Sequence, residues 1–442
     1  MPNANTLTKP VSKKQISGKI YQLVWKWHFW AGLLVSPFLI VVSITGALYV
    51  FKDEIERYTH SELLFVEPGE TTVGHTALEE TIAAELPEAE LHYISVSKGS
   101  DRSWAAFVEI HQEDGSEQVR FVYFDQYRGK ILGHKASDEG FFRIVLTLHR
   151  SLLAGTPGRI IIEVATCWGI ISMLAGLYLW WPRKKEKVKG VWVPRIRGNF
   201  RVILRDWHTV PGMYLSIFLL AIMGTGLFFT SIWGTGFRLG TALSGGFPDF
   251  YVSPPQSAHV EDHSLHTRIS LDEAFTEANQ AFPFEGRSYG IDLPHHDTDN
   301  AFSIITEITE PFVELGATYI DQYNGELLLT ATNQDLPWRT HAILLFYPIH
   351  VGSIFGIGTK IIAVLSCLIL TAMCATGVWL WWRRRPKGTF GAPKKTLPKT
   401  APRWLAWLTI ALAIFLPMVG LSLILIGLFQ WIAAKTSQPR TV

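Results

Sequence analysis

Five long apolar runs punctuate the chain, at Leu23–Phe51, Ile160–Trp181, Val210–Trp233, Ile361–Trp382 and Trp404–Trp431. A helix rising about 1.5 Å per residue crosses a hydrocarbon layer in about 20 residues, so each run is long enough to span a membrane. The first is too long for a signal peptide. Its exit, Ala47-Leu48-Tyr49-Val50-Phe51-Lys52-Asp53, offers no small-residue cleavage site, and it is expected to stay as an anchor. In the last, Pro417-Met418-Val419-Gly420 would either kink one helix or turn a hairpin with arms of about 14 residues, too short to cross. A single kinked span is expected, with the C-terminus outside.

Between the spans the period changes. Ala77–Glu85 has helical spacing, and Leu91–Ser97, Ala105–His111, Arg120–Phe124 and Lys130–Leu132 alternate as strands. Later, Leu271–Phe282 precedes strands at Tyr289–Leu293, Ala301–Thr306, Val313–Ile320 and Glu326–Leu329. Tyr127-Arg128-Gly129 and Tyr323-Asn324-Gly325 read as hairpin turns, glycine supplying the positive φ. The fold class is an α-helical polytopic membrane protein, a helix bundle of five spans in two parallel repeats, with two small α+β domains between spans. The boundaries are an arm and first span 1–51, first domain with pre-helix 52–157, second span 158–182, basic loop 183–205 and third span 206–233. They continue as second domain with pre-helix 234–358, fourth span 359–382, basic loop 383–402 and fifth span 403–433. Neither domain offers an evident nucleophile and base.

The two copies superimpose in sequence. A shift of 180 lays Trp27-His28 and Gly32 over Trp207-His208 and Gly212, Ser36 over Ser216, and Thr45-Gly46 over Thr225-Gly226. A shift of 196 lays Tyr123–Lys130 over Tyr319–Glu326. A shift of 201 lays His149 on His350, Gly155 on Gly356, Arg159 on Lys360, Gly176 on Gly377 and Trp180-Trp181 on Trp381-Trp382. Repetition at this scale means duplicated structural units.

Lys and Arg set the orientation, because basic residues near span ends stay cytoplasmic. The loops Arg183–Lys189 and Arg383–Lys395 are strongly basic, and Lys13, Lys14 and Lys19 precede the first span. The N-terminus is therefore expected in the cytoplasm and both domains outside. The tryptophan pairs at 180–181 and 381–382 suit the cytoplasmic headgroup belt. A hydrophobic content of 48% with 17 Trp fits lipid burial, while the net charge of +2 conceals the asymmetry. Cys167, Cys367 and Cys374 all fall in spans, read as packing residues, and give the domains no disulfide framework.

Histidines at membrane depth carry the chemistry, since an ionisable group there is costly. His28 and His208 lie just inside the cytoplasmic ends of the first and third spans, and can face one another. From His28 the stripe Gly32, Leu39, Ser43, Gly46 keeps to one helical face, as do Gly212, Leu219, Met223 and Gly226 from His208, leaving room for a flat ligand. Two facing imidazoles beside glycine-lined space are what a bis-histidine haem needs. His149 and His350 form a second pair near the outer face if the turns Ala154–Gly158 and Phe355–Gly358 fold their pre-helices back. His341 is the alternative outer ligand. Arg159 and Lys360 would meet outer haem propionates, and Arg201 and Arg205 inner ones. Glu163 reads as an i, i+4 partner of Arg159. The set His259, Glu261, Asp262, His263, His266 and the pair His295-His296 read as solvated loop.

The entry Trp25/His28/Gly32, the later Thr45-Gly46, the small domain, Leu148-His149-Arg150 and the closing Gly176–Trp181 resemble the PepSY-associated transmembrane helix family over residues 20–385. The second copy departs from the pattern, with Pro211 after the histidine and Val351 in place of Arg150. The family includes inner-membrane ferric-siderophore reductases of the FoxB type. The resemblance implies two haem b groups ligated by histidines in a bacterial inner membrane and reduction of a periplasmic ferric chelate. No Gly-x-Gly-x-x-Gly follows a strand, so electrons are expected from quinol or a separate reductase rather than a bound nucleotide. A haem-free sensor with peptide- or protease-binding domains and a metal-ion permease are the other readings; no nucleic-acid partner is expected.

A reporter fused after Trp192 is expected on the cytoplasmic side and one inserted near Gly115 outside. Reversed signals in a topology assay would overturn the orientation.

Overall fold

The computed structural model describes residues 13–111, 116–137, 139–182, 188–261, 263, 266–295, 298–308, 313–391 and 403–436. The first copy opens with α1 (Lys13–Tyr49), followed by the short helices α2 (Lys52–Thr59) and α3 (Ser61–Leu64). Next come α4 (His75–Glu85) and strands β1 (Ala89–Val96), β2 (Trp104–His111), β3 (Glu117–Asp125) and β4 (Lys130–Ala136). The pre-helix α5 (Phe141–Ser151) leads into α6 (Gly155–Trp180). The second copy has α7 (Phe200–Gly226), α8 (Ile232–Leu243), α9 (Asp249–Val252) and α10 (Leu271–Ala281) before β5 (Tyr289–Asp292), β6 (Phe302–Thr306), β7 (Gly316–Ile320) and β8 (Leu327–Thr332). It closes with α11 (Trp338–Leu344), α12 (Phe346–His350) and α13 (Ile357–Arg384). Beyond both copies lie α14 (Arg403–Phe415) and α15 (Pro417–Thr436).

Among the described residues, five helices are long and apolar enough to cross a membrane, in α1, α6, α7, α13 and α15. This is a multi-pass helical membrane protein. The last apolar run is not the single kinked span expected. It breaks at Leu416, with Pro417 opening α15, where its missing N–H costs nothing. A Cβ on Gly420 would lie 2.8 Å from the Ala413 carbonyl, whereas seven residues of straight helix separate groups by about 10 Å. The chain therefore bends sharply, and α14 alone is too short to cross.

In the bundle, α1 packs against both α6 and α13, and α7 against α13 and, on a smaller front, α6. The core is apolar, with Val35, Leu39, Ala165, Cys167, Trp168 and Cys374 in one cluster and Met173, Leu219 and Met223 in another. Hydroxyls buried in it satisfy themselves on the preceding turn: Ser36 donates to the Gly32 carbonyl, Ser43 to Leu39 and Thr45 to Val41. All three cysteines are buried and unpaired.

The two pre-helices fold back as the turns require. Between α5 and α6 the bend is made by Leu152 and Leu153, both at positive φ (53° and 57°), so the reversal starts two residues before the glycine-containing segment. Gly158 is obligatory there, because a Cβ would lie 1.7 Å from the Ser151 carbonyl. α5 is thereby laid against α1 and α6, and α12 against α7.

Both α+β segments are present, joined edge to edge. Their strands make one eight-stranded sheet of order β4-β3-β2-β1-β5-β6-β7-β8, antiparallel throughout. At the seam Tyr93 pairs with Asp292, Ile94 with Ile291, Ser95 with Gly290 and Val96 with Tyr289. Helices α4 and α10 cover one face, and their Leu78, Ile82, Leu271, Ala274 and Ala278 join Ile94, Val108, Phe124, Ile291, Ile304 and Ile320 in a single core. The helices also meet at their N-termini. Asp272 of α10 accepts from the backbone N–H of His75 (2.7 Å) and of Thr76 (3.3 Å) in α4, and Thr76 Oγ1 accepts from the Asp272 N–H. The His75 ring stacks on Trp104 and bonds Tyr289 Oη at 2.9 Å. Its hydrogen bond to Asp272 Oδ1, more than any other contact, holds the Asp272 carboxyl well below its ordinary pKa.

Asp272→Ala is expected to cost about 0.5–2 kcal/mol, as loss of a helix cap does, seen as a lower thermal midpoint of the purified protein. With a depressed native pKa, the carboxylate's contribution is full above about pH 4 and fades as pH falls through the native value, so the difference from wild type should shrink in acid.

Candidate functional site: two histidine pairs in the bundle

Each of the four histidines is fixed by one ring nitrogen on a neighbouring helix. His28 Nδ1 on α1 donates to the Ser172 carbonyl of α6 (2.9 Å), and His208 Nδ1 on α7 donates to the Met373 carbonyl of α13 (2.9 Å). His149 Nδ1 on α5 donates to the Val42 carbonyl of α1 (3.0 Å), and His350 Nδ1 on α12 to the Ile222 carbonyl of α7 (2.8 Å). A carbonyl can only accept, so Nδ1 carries the proton in all four rings and Nε2 keeps its lone pair. The partners are themselves repeat equivalents: Val42 and Ile222 are 180 apart, Ser172 and Met373 are 201 apart.

The rings then meet across the copies. His28 and His208 have centroids 6.2 Å apart and ring planes inclined by 78°; His149 and His350 are also 6.2 Å apart, inclined by 64°. The pairs sit at different depths. The outer pair touches α1 at Val42 and Gly46, about 21–27 Å along the helix from His28. His341 takes no part: it is exposed on α11, with Nδ1 3.3 Å from its own Pro337 carbonyl.

A glycine backs every imidazole. A Cβ would lie 3.2 Å from His28 Cε1 at Gly176, 3.3 Å from His208 Cε1 at Gly377, 3.2 Å from His149 Cε1 at Gly46 and 2.7 Å from His350 Cε1 at Gly226. Gly46 and Gly226, expected to clear space for a ligand of the inner histidines, instead seat the outer ones. Gly32 and Gly212 line a cavity of about 590 Å³ around the inner pair, within the size of small-molecule and cofactor sites. The two are not alike. Nothing stands within 4 Å of Gly32, while the Met373 side chain fills the space over Gly212.

The cavity also takes in Trp25, Trp180, Trp381, Arg205 and Arg384. Arg205 pairs with the fully buried Asp206, which also takes two hydrogen bonds from the Arg195 guanidinium, and Arg384 lies over the Trp25 ring. Arg201 turns away to the Arg383 carbonyl. Near the outer pair, Arg159 donates to Ser231 Oγ and the Phe229 carbonyl, and Lys360 pairs with Glu54 at 2.6 Å. Burial opposes the Glu54 charge, but Lys360, a backbone N–H and Arg57 together lower that carboxyl's pKa.

Glu163 is not the helical partner of Arg159 that its spacing suggests. Wholly buried in α6, it accepts from the backbone N–H of Ile232 (2.9 Å) and Trp233 (2.8 Å). Those are the first two N–H groups of α8, where the helix dipole favours an anion. Of the loop histidines, His259 contacts Asp299 (2.6 Å) and His263 the Tyr323 hydroxyl (2.6 Å), while Glu261 is exposed. Asp262 and His296 lie outside the described residues.

Residues 25–384 match the family described as PepSY-associated TM region. An uncharacterized protein of Pseudomonas aeruginosa is 27% identical over 301 residues, covering 63% of this chain and 72% of that one.

Glu163→Leu should leave two buried N–H groups unpaired and cost about 1–3 kcal/mol. Thermal unfolding in detergent measures it; an unchanged midpoint would refute the cap.

Proposed function

Because the chain belongs to the family of PepSY-associated TM regions and carries two imidazole pairs at two depths of one bundle, we propose that it is a dihaem electron-transfer protein of the bacterial inner membrane that reduces ferric iron in a periplasmic chelate such as a siderophore. The N-terminus and basic loops face the cytoplasm, and the sheet stands in the periplasm.

The 6.2 Å separation of the rings in both pairs carries this reading. At that spacing each pair could offer two imidazole nitrogens to one metal-centred group, which His28 with His208 and His149 with His350 would hold. The donor set agrees, since every Nδ1 is committed to a carbonyl and every Nε2 is left with its lone pair. Haem b suits this donor set and would be held by His28 with His208 and by His149 with His350; bound there, it would supply one-electron redox chemistry.

The chain's own residues do the rest. The Nδ1 bonds fix each ring's tautomer and raise its basicity at Nε2. Glycines at 46, 176, 226 and 377 let the rings seat against helix backbone, and Gly32 leaves one wall of the inner cavity flat. Arg205 and Arg384 offer cations at that cavity for acidic side groups of a cofactor. Arg159 and Lys360 stand by the outer pair's helices, already bonded to Ser231 and Glu54. Reduction frees chelated iron because hard oxygen donors hold Fe(III) far better than Fe(II). With no nucleotide fingerprint in the sequence, quinol or a separate reductase is the donor.

Protein expressed with ample haem should show a Soret band and two haems per chain. His28→Ala and His208→Ala should lose the same haem. His149→Ala and His350→Ala should lose the other and cease to reduce an external ferric chelate, while the remaining haem stays reducible by a quinol donor. Absence of any Soret band would hand the histidines to a haem-free sensor or a metal-ion permease.

A further inference from the structure

A second set of ligand-type side chains lies at the seam of the sheet. Glu90 and His92 of β1 and His295, three residues beyond β5, each bring a donor atom within 4.8 Å of the others. The His92 and His295 rings are 4.7 Å apart, and His295 Nδ1 is 3.8 Å from Glu90 Oε1. Glu109 stands opposite Glu90 in the β1–β2 register, with its Oε2 3.2 Å from His92 Nε2.

The backbone is shaped to make this convergence. His92 is the residue left unpaired where the register shifts between Leu91 and Tyr93, a bulge that re-aims a side chain out of the regular alternation. Its carbonyl accepts from Leu293 N–H at 2.9 Å, which ties down the start of the segment bearing His295. Arg268 holds that segment from the other side, donating to the Pro294 carbonyl at 3.1 Å while pairing with Glu79 at 3.0 Å. His92 Nε2 is shut off from water and, though close to Glu109, has no well-aligned hydrogen bond. A proton on Nε2, toward the Glu109 carboxylate, leaves the lone pair on Nδ1, the division a histidine makes between an orienting carboxylate and a metal ion.

We propose that Glu90, His92 and His295 form a binding site for a divalent first-row transition-metal ion, with Glu109 as the positioning carboxylate behind His92. Mixed imidazole and carboxylate donors suit zinc and its neighbours in the row, whereas calcium and magnesium are held by oxygen alone. Two carboxylates with neutral imidazoles also match a dication in charge. The ligands come from both copies, so the ion clips the β1–β5 seam from outside its hydrogen bonds. This site is independent of the histidine pairs in the bundle.

Zinc ion is the probe. Full-length protein in detergent, stripped with a chelator and dialysed against zinc, is analysed for metal content and titrated calorimetrically. Wild type should hold one more zinc per chain than His92→Ala or His295→Ala. Glu109→Gln should weaken that zinc about 10–100-fold, as loss of an orienting partner does. His259→Ala, on a different loop, should keep it. Equal zinc in wild type and both histidine variants, or a loss that follows His259 instead, would overturn the site. Should His92→Ala fail to fold, His295→Ala decides the question, because that side chain is 55% exposed and bears little of the core.

Discussion

A hydrogen bond from an imidazole N–H to a carbonyl already engaged inside a helix is the constraint on which the bundle turns. In hydrocarbon neither group can fall back on water, and a carbonyl's second lone pair is one of few acceptors on offer. The four bonds run α1 to α6, α7 to α13, α5 to α1 and α12 to α7. Each spans two elements, so together they set which helices adjoin and how far the pre-helices sink. The glycines answer the same requirement, since a ring can reach a buried carbonyl only where the facing backbone carries no side chain.

Much of this was legible because it rests on side chains. The four histidines, the glycines of the repeat and the five apolar runs announce themselves by type and spacing. The acceptors do not. Ser172 and Met373 have nothing in common except position, and Val42 and Ile222 are ordinary apolar residues; what they contribute is a main-chain oxygen, which any residue supplies. The seam was hidden for a related reason: an edge strand such as Ala89–Val96 alternates the same way whether its outer edge meets solvent or Tyr289–Asp292. Glu163 misled because spacing reveals neighbours on its own helix, whereas its partners are N–H groups 69 and 70 residues away. In the last run, Pro417 marked the break, but the depth of the bend depends on how Gly420 settles against Ala413.

The copies have diverged where side chains alone are involved. Because the Met373 carbonyl does the work of the Ser172 carbonyl, the side chain at that position was free to change, and methionine now closes the wall over Gly212 while the wall at Gly32 stays open. A flat guest in the inner cavity thus meets one hard face and one soft, polarizable one.

The self-pairing of equivalent residues has a further meaning. His28 faces its own counterpart, His149 faces its own, and β1 lies antiparallel to its own counterpart β5. In all three an element pairs with its own repeat equivalent, as elements do across an isologous homodimer interface. The chain is in effect such a dimer closed by a linker, and a protein with only one copy could build either histidine pair solely by associating with a second molecule of itself.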